Sequence, residues 1–298
     1  MSSPEDRRDL RVASGAAEFR RPTRPVGEPE AVDAATRKPP RKGFFDDLPT
    51  LFLALAIAFG IRTFVFQSFY VPSDSMFPTL LIGDHVFVSK LAYGPRVPFL
   101  ETNLPGYREP RRGEVVVFQL ARDGRRIYAP DHRPELPTEA FIKRLVALPG
   151  ETVELRQGVV YVNGAAAPQV RTGERFTDPS GRSFDVLEET LGECRHRVLD
   201  DPRIPPMDLA PFRVEEGRYF FLGDNRDNSY DSRGWGSVRA LDIEGPAGLL
   251  YWSWDFTGSW LSLLNPLTWI DNLSSRTRWD RMGKFVRCLP PREAAASD

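Results

Sequence analysis

This chain of 298 residues contains few cysteines and histidines, and its positive and negative charges are almost equal in number. Two cysteines, Cys194 and Cys288, exclude a disulfide framework and a four-cysteine zinc site, and they leave open either one bridge or two free thiols. Forty Lys and Arg residues against 41 Asp and Glu residues give a formal net charge of −1. A nucleic-acid-binding protein usually carries a basic excess, so we predict no nucleic-acid partner.

Long apolar runs are also scarce, because a charged fraction of 27% is too high for a protein with many membrane spans. One uncharged run, LPTLFLALAIAFGI at 48–61, stands out. Extended to Phe66 it covers about 19 residues, or roughly 28 Å of helix, which is close to the thickness of the bilayer core. We therefore predict a transmembrane helix over 44–67. A cleaved signal peptide and a buried soluble helix are the alternatives.

The first 43 residues are rich in Pro, Arg, Glu and Ala and predict a disordered tail. The tail ends in the basic stretch RKPPRK at 37–42, immediately before the predicted span. By the positive-inside rule the tail is expected in the cytoplasm, and everything after residue 70 on the outer side of the membrane.

The rest of the chain favours a mostly β fold. Runs rich in Val, Tyr and Phe, most of them bounded by Gly or Pro, predict strands at 85–89, 114–118, 141–146, 152–155, 159–162, 218–222 and 248–252. Gln157-Gly158 predicts the tip of a hairpin. The turn-rich residues 165–213 predict an inserted subdomain within a main β domain of 68–164 and 214–288, and 289–298 predict a second tail. The tryptophan-rich residues 251–270 suit either a membrane-surface contact or ordinary packing.

Two serines, Ser73 and Ser75, lie among prolines a few residues beyond the predicted span, where they could form only a turn. A nucleophilic serine needs a base, and none of the three histidines lies in a recognisable motif. Lys143 lies in the apolar strand FIKRLV, where a lysine most simply faces solvent. If it were buried instead, a fall of roughly two units from a pKa of about 10.4 would make it a base near pH 8. Such a lysine needs a hydroxyl partner, because a carboxylate would raise its pKa.

The loop at 223–236, GDNRDNSYDSRGWG, alternates acidic and amide residues, as a calcium-binding loop does. Counted from Asp227, the third and fifth positions fit, but Ser232 replaces the required glycine and Val238 the required glutamate. The loop therefore predicts cross-links between Asp and Arg residues and no metal site, and Ser229 could present the hydroxyl that Lys143 needs.

Four blocks, at 72–80, 112–118, 141–144 with 149–151, and 223–233, resemble bacterial type I signal peptidase, and the resemblance runs over about 45–286. It implies a membrane-bound serine endopeptidase of the cytoplasmic membrane that uses a Ser/Lys dyad without cofactor or metal. Its catalytic β domain would lie on the outer side, anchored by one N-terminal helix. The implied partners are membrane lipid and precursor proteins that carry signal peptides cleaved after small residues of the Ala-x-Ala type. A monomer is expected.

Matched residue by residue, the resemblance implies Ser75 as nucleophile and Lys143 as general base. It implies that Ser73 and the backbone N–H of Ser75 form the oxyanion hole, and that Ser229 orients the lysine. Asp231 and Arg233 match a supporting ion pair. The positions that match the substrate pockets are Phe69, Val71, Met76, Leu80, Phe141 and Ile142.

Asp74 replaces the glycine that is common between the two serines of the family, and this adds a charge near the nucleophile. A repressor-type Ser/Lys autoprotease is one alternative, but such proteins are soluble and lack the block at 223–233. A membrane-tethered binding protein that keeps the fold without turnover is the other, but it would commonly have lost a member of the dyad.

Overall fold

The fold is dominated by β-strands that form three sheets. The computed structural model describes residues 47–97, 100, 102–255 and 275–289. Within them the strands are β1 (Phe66–Tyr70), β2 (Asp84–Ser89), β3 (Val115–Asp123), β4 (Arg126–Tyr128), β5 (Thr138–Ala147), β6 (Thr152–Arg156), β7 (Val159–Val162), β8 (Ala165–Ala166), β9 (Gln169–Thr177), β10 (Ser183–Leu191), β11 (Cys194–Asp200), β12 (Leu209–Arg213), β13 (Arg218–Leu222), β14 (Val238–Arg239), β15 (Ile243–Ser253) and β16 (Lys284–Phe285). All seven predicted strands are present, so the prediction of a mostly β fold is confirmed.

The largest sheet has the order β1-β2-β15-β3-β5-β13-β14, with β4 added to β3 and β16 added to β15. Its pairs are antiparallel. Successive side chains of a strand point to opposite faces. Accordingly Val115 and Val117 of β3 pack in one core cluster, whereas Val116, Phe118 and Leu120 pack in another. Both faces of this central strand are thus buried.

The hairpin of β6 and β7 belongs to a second sheet, of order β12-β6-β7-β8. Gln157 and Gly158 at its tip have φ values of 51° and 76°. Two consecutive positive φ values are the requirement of the type I′ turn that suits a two-residue hairpin. The predicted hairpin is therefore confirmed.

Residues 165–213 are more regular than predicted. The separate third sheet, of order β11-β10-β9, spans only 169–200, whereas β8 pairs with β7 and β12 pairs with β6. Phe184, Val186 and Leu199 of this sheet pack against Phe77 from the turn that carries the two serines. The chain divides into two units, 1–51 and 52–298, so the third sheet is part of one compact unit with the largest sheet.

Helix α1 (Leu48–Phe64) has 17 residues, none of them buried. It is shorter than the predicted span of 44–67, because β1 begins at Phe66 and pairs there with β2. No helix in the described parts of the chain is long and apolar enough to cross a membrane. Two short helices follow, α2 (Lys90–Tyr93) and α3 (Ser232–Trp235). The predicted tail at 1–43 and most of the tryptophan-rich segment lie outside the described residues.

Cys194 and Cys288 form a disulfide with an S–S distance of 2.02 Å, which settles the alternative left open by the sequence. It joins β11 to the segment that follows β16. The backbone N–H of Leu289 donates to Arg195 O, so Leu289 is ordered against β11 and does not belong to a tail. Residues 284–289 are thereby attached at one end to the largest sheet and at the other to the third.

Candidate active site

Ser75 lies in the turn between β1 and β2 and is only 6% exposed. The turn is closed by its own backbone, since the N–H of Phe77 donates to Asp74 O at 3.0 Å. A second element fixes it from outside, since the N–H of Asn225 donates to Ser75 O at 3.1 Å. The position of the serine hydroxyl is therefore set by both the turn and the loop after β13.

Lys143 lies in β5, opposite Val116 of β3, and is 4% exposed. Its Nζ donates to Ser75 Oγ at 2.7 Å and to Ile142 O at 3.0 Å. Burial lowers the pKa of Lys143 to about 8, although the carboxylates of Asp231, Asp224 and Asp74 act in the opposite direction. An amine that loses its proton near pH 8 while it contacts a hydroxyl can act as a base toward that hydroxyl.

Ser73 is exposed, and its Oγ lies 3.2 Å from Ser75 Oγ. The backbone N–H of Ser75 donates to no acceptor within the described residues. A hydroxyl and a free N–H beside the nucleophile are the kind of donors that can stabilise an oxyanion.

A cleft of about 350 Å³ adjoins Ser73 and Lys143. Four of the six residues predicted to form substrate pockets line it, namely Phe69, Val71, Phe141 and Ile142. The other two, Met76 and Leu80, do not: both are 0% exposed and pack in the core beneath the turn. The N–H of Leu80 donates to Met76 O at 3.0 Å, so the two residues lie one helical turn apart and share the same buried side.

Asp231 and Arg233 form a buried ion pair, with Arg233 Nε donating to Asp231 Oδ1 at 2.7 Å. Asp231 Oδ2 also accepts from the N–H of Gly223 at 3.0 Å, and Arg233 donates to Arg226 O at 2.7 Å. These contacts cross-link the loop after β13, as the sequence predicted, and hold Gly223 in place.

Ser229 lies in the site but does not form the predicted hydrogen bond to Lys143. Its Oγ is buried and has no hydrogen-bond partner in the described part of the chain. A Cβ at Gly223 would lie 2.2 Å from Ser229 Oγ and 2.6 Å from Ser75 O. Ser229 is thus packed against Gly223 beside the nucleophile, while the amine of Lys143 uses Ser75 and Ile142 O instead.

Comparison with known proteins identifies the family of this chain. The family model described as signal peptidase, peptidase S26, matches residues 45–252. The chain belongs to the peptidase S26 family of signal peptidases. Signal peptidase I of Pseudomonas aeruginosa is 36% identical in an alignment of 228 residues that covers 72% of this chain and 72% of that one. Signal peptidase I of Leptolyngbya laminosa is 33% identical over 224 residues, 75% of this chain and 87% of that one.

A solved structure of a signal peptidase I from Enterococcus faecalis shares 26% identity, covers 46% of this chain and 96% of its own, and has a TM-score of 0.26. The resemblance predicted from the four sequence blocks is confirmed by the family match and the curated relatives. As a member of the signal peptidase family, the protein is a serine endopeptidase that cleaves signal peptides.

Asp74 stands where the signal peptidase family commonly has glycine, and its side chain is anchored. Its Oδ2 accepts from Asn228 Nδ2 at 2.7 Å, and Arg182, in the turn between β9 and β10, lies 3.7 Å from the same carboxylate. Asn225 Nδ2 donates to Asp74 O at 3.2 Å. The extra charge is therefore tied to the loop after β13 and is partly balanced by an arginine.

Arg144 and Asp224 form a second buried ion pair that the sequence analysis missed. Arg144 Nε and one terminal nitrogen donate to the two oxygens of Asp224 at 2.7 and 2.6 Å. Burial alone would raise the pKa of the Asp224 carboxyl, but Arg144 outweighs it and holds the pKa below its usual range. The available signal was the second charge in FIKRLV, since adjacent residues of a strand face opposite sides and only one of them could face the serine.

The histidines lie away from the nucleophile. His196 is buried with Nε2 3.3 Å from Glu189 Oε1, and burial together with Arg144 lowers its pKa. His85 packs against Tyr70, and His132 lies near Asp131. No group of three His, Cys, Asp or Glu residues that could hold a metal ion occurs among the described residues.

Proposed function

We propose that the protein cleaves signal peptides with a Ser75/Lys143 dyad. The observation that carries this proposal is the 2.7 Å contact between Ser75 Oγ and a buried lysine amine whose pKa is lowered to about 8. A desolvated lysine destabilises the folded state whenever it is charged. A catalytic base compensates for this cost by its activity, whereas a protein that only binds does not need such a base.

In the proposed mechanism, neutral Lys143 accepts the Ser75 proton while Oγ attacks the carbonyl carbon of the scissile bond. The resulting oxyanion is held by Ser73 and the N–H of Ser75, and loss of one such donor typically costs about 2.7–4 kcal/mol. The C–N bond then breaks, and the Lys143 ammonium gives its proton to the leaving amine. Water, deprotonated by the same lysine, attacks the acyl-enzyme carbonyl. The ester C–O bond then breaks, the Lys143 ammonium returns its proton to Ser75 Oγ, and the signal peptide leaves with a new carboxylate.

The cleft suits a substrate that is extended and carries small side chains near the scissile bond. Phe69 and Phe141, together with the buried residues Val71 and Ile142, line the cleft of about 350 Å³. We propose specificity of the Ala-x-Ala type, with the precursor bound as a β-strand. The substrate partner is accordingly a secreted precursor protein.

We further propose attachment to the cytoplasmic membrane through α1, with residues 1–43 in the cytoplasm and the β domain outside. The support is an exposed apolar helix, in which Phe52 is 68% and Phe59 65% exposed, preceded by the basic stretch at 37–42. Labelling of cysteines introduced at Ser3 and Ser180, in intact and in opened cells, tests the orientation: label reaching Ser3→Cys in intact cells would contradict it.

Cleavage of a precursor with Ala at the first and third positions before the bond tests the dyad. We expect Ser75→Ala and Lys143→Ala to abolish cleavage while the unfolding midpoint shows a folded protein. Ser180→Ala, in the turn between β9 and β10, and Lys90→Met, which removes an ion pair with Glu244, serve as matched controls and should keep full activity. Substantial cleavage by either dyad variant would contradict the assignment.

A further inference from the structure

A basic cavity of about 200 Å³ lies apart from the substrate cleft and shares no lining residue with it. It lies beside the segment 284–289 that connects the largest sheet to the third sheet. Five cations line it, and none of its lining residues is acidic: Arg144, Arg197, Arg281, Lys284 and Arg287. A cavity with this lining favours an anionic ligand.

Three of these cations have carboxylate partners outside the lining. Arg144 pairs with Asp224, Arg281 with Asp84 at 2.6 Å, and Arg197 with Glu174 at 3.2 Å on the surface. Lys284 and Arg287 form no ion pair within the described residues; Arg287 lies over the ring of Phe285 at 4.4 Å. Within the described parts of the chain, at least two positive charges of the cavity therefore have no carboxylate partner.

A buried polar residue in the cavity lining also lacks a full set of hydrogen-bond partners. His196 lines it and is 2% exposed. Its Nδ1 has no hydrogen-bond partner in the described part of the chain. Buried polar atoms are almost always satisfied by protein, water or ligand, so a polar group is expected within reach of this nitrogen.

The wall that carries the free cations is fixed. β16 pairs with β15, Cys288 is bonded to Cys194, and Leu289 pairs with Arg195. Lys284 and Arg287 are thus held at one edge of the cavity by a covalent bond and two sets of backbone contacts. A site held in this way requires less ordering when a ligand binds than a mobile tail would.

Exposed aromatic residues flank the same edge. Phe285 in the lining is 54% exposed, and Trp279, two residues before Arg281, is 55% exposed. Exposed Trp and Phe next to Lys and Arg are typical of surfaces that meet phospholipid headgroups.

We propose that this cavity binds a phosphate group, carried either by an anionic phospholipid headgroup or by a free phosphate. Arg287 offers a planar fork of donors and Lys284 a compact positive charge for the phosphate oxygens. The proposal uses no residue of the dyad and is independent of the peptidase activity.

The test uses the full chain in neutral detergent micelles. In one arm the micelles contain equal amounts of phosphatidylglycerol and phosphatidylcholine, and native mass spectrometry measures which lipid stays bound. In the other arm micelles without lipid are titrated with inorganic phosphate by calorimetry. The test variant is Lys284→Gln/Arg287→Gln, and the matched control is Arg125→Gln/Arg126→Gln, which removes two exposed charges from the hairpin of β3 and β4.

We expect the wild type to retain phosphatidylglycerol over phosphatidylcholine. The test variant should lose roughly 30-fold in affinity, the factor that corresponds to about 1 kcal/mol for each of two basic residues at a membrane surface, and the control only about twofold. Binding of inorganic phosphate that the test variant loses, without a lipid preference, would support the site with free phosphate as the source. Equal losses in both double variants, or no binding of either probe to the wild type, would overturn the proposal.

Discussion

The pH dependence of precursor cleavage measures the pKa of Lys143 directly, because only the neutral amine can accept the Ser75 proton. With a pKa of about 8, roughly a tenth of the enzyme carries neutral lysine at pH 7 and roughly nine tenths at pH 9. A lysine at its ordinary pKa would be neutral in roughly one molecule in 3,000 at pH 7. We therefore expect kcat/KM to rise about tenfold from pH 7 to pH 9 and then to level off.

The same shift predicts an effect on stability. The unfolded chain keeps the lysine proton up to a pKa near 10.5, whereas the folded chain loses it near 8, so the free energy of unfolding rises with pH between these values. Below pH 8 the folded protein carries a buried ammonium. Burial of this charged group costs about 3 kcal/mol more than burial of the neutral amine. Lys143→Met should therefore be inactive yet gain stability over the wild type at pH 7, by up to about this amount less the lost hydrogen bonds. The pH-dependent part of the gain should vanish above pH 10.5.

The two measurements are kcat/KM on the precursor from pH 6 to 10.5 and denaturant unfolding of wild type and Lys143→Met over the same range. A rise of kcat/KM with its midpoint near pH 10 would show that the lysine is not desolvated. A limb near pH 6.5 that persists in Lys143→Met would point to a histidine. A stability difference that is independent of pH would refute the link between burial and the lowered pKa.

Three further variants test the surroundings of the dyad. Cys288→Ser should lower the free energy of unfolding under oxidising conditions by about 2–4 kcal/mol, because the disulfide closes a long loop; an unchanged denaturation midpoint would contradict this. Gly223→Ala should reduce kcat/KM by more than about tenfold, because its Cβ would collide with Ser229 Oγ and displace the nucleophile, whereas cleavage at the wild-type rate would contradict the packing. Asp74→Asn keeps the acceptor for Asn228 but removes a charge that raises the pKa of Lys143, so the limb of the rate profile should move to lower pH; a shift to higher pH would contradict it.

The sequence predicted the elements that have a strong period or turn signal. Strands such as β3, buried on both faces, stand out as apolar runs, and Gln157-Gly158 is a specific hairpin signal. Strand β9 of the third sheet gave no such signal, because it is mostly exposed and reads as a polar segment. Strand β9 is regular because it pairs with β10, and the local sequence of β9 does not reveal that pairing.

At the site, motif matching placed Ser75 and Lys143 together but did not give the direction of each side chain. Met76 and Leu80 match pocket positions of the family, yet both face the core because the turn folds them inward. Ser229 matches an orienting residue, yet its hydroxyl is unpaired beside Gly223. These outcomes depend on packing between distant segments, which spacing along the chain does not determine.

On one side of strand β5, Lys143 contacts the nucleophile Ser75. On the other side, Arg144 contacts Asp224. The pairing of β5 with β3, Lys143 opposite Val116 and Arg144 opposite Val115, fixes which residue faces which way. Gain or loss of one residue within the strand would exchange the two, and a guanidinium that cannot give up its proton would stand beside the serine. The connection at 129–137 lies outside the paired strands and carries no such constraint. Among descendants of this gene, length changes should therefore accumulate in that connection and be eliminated from the strand.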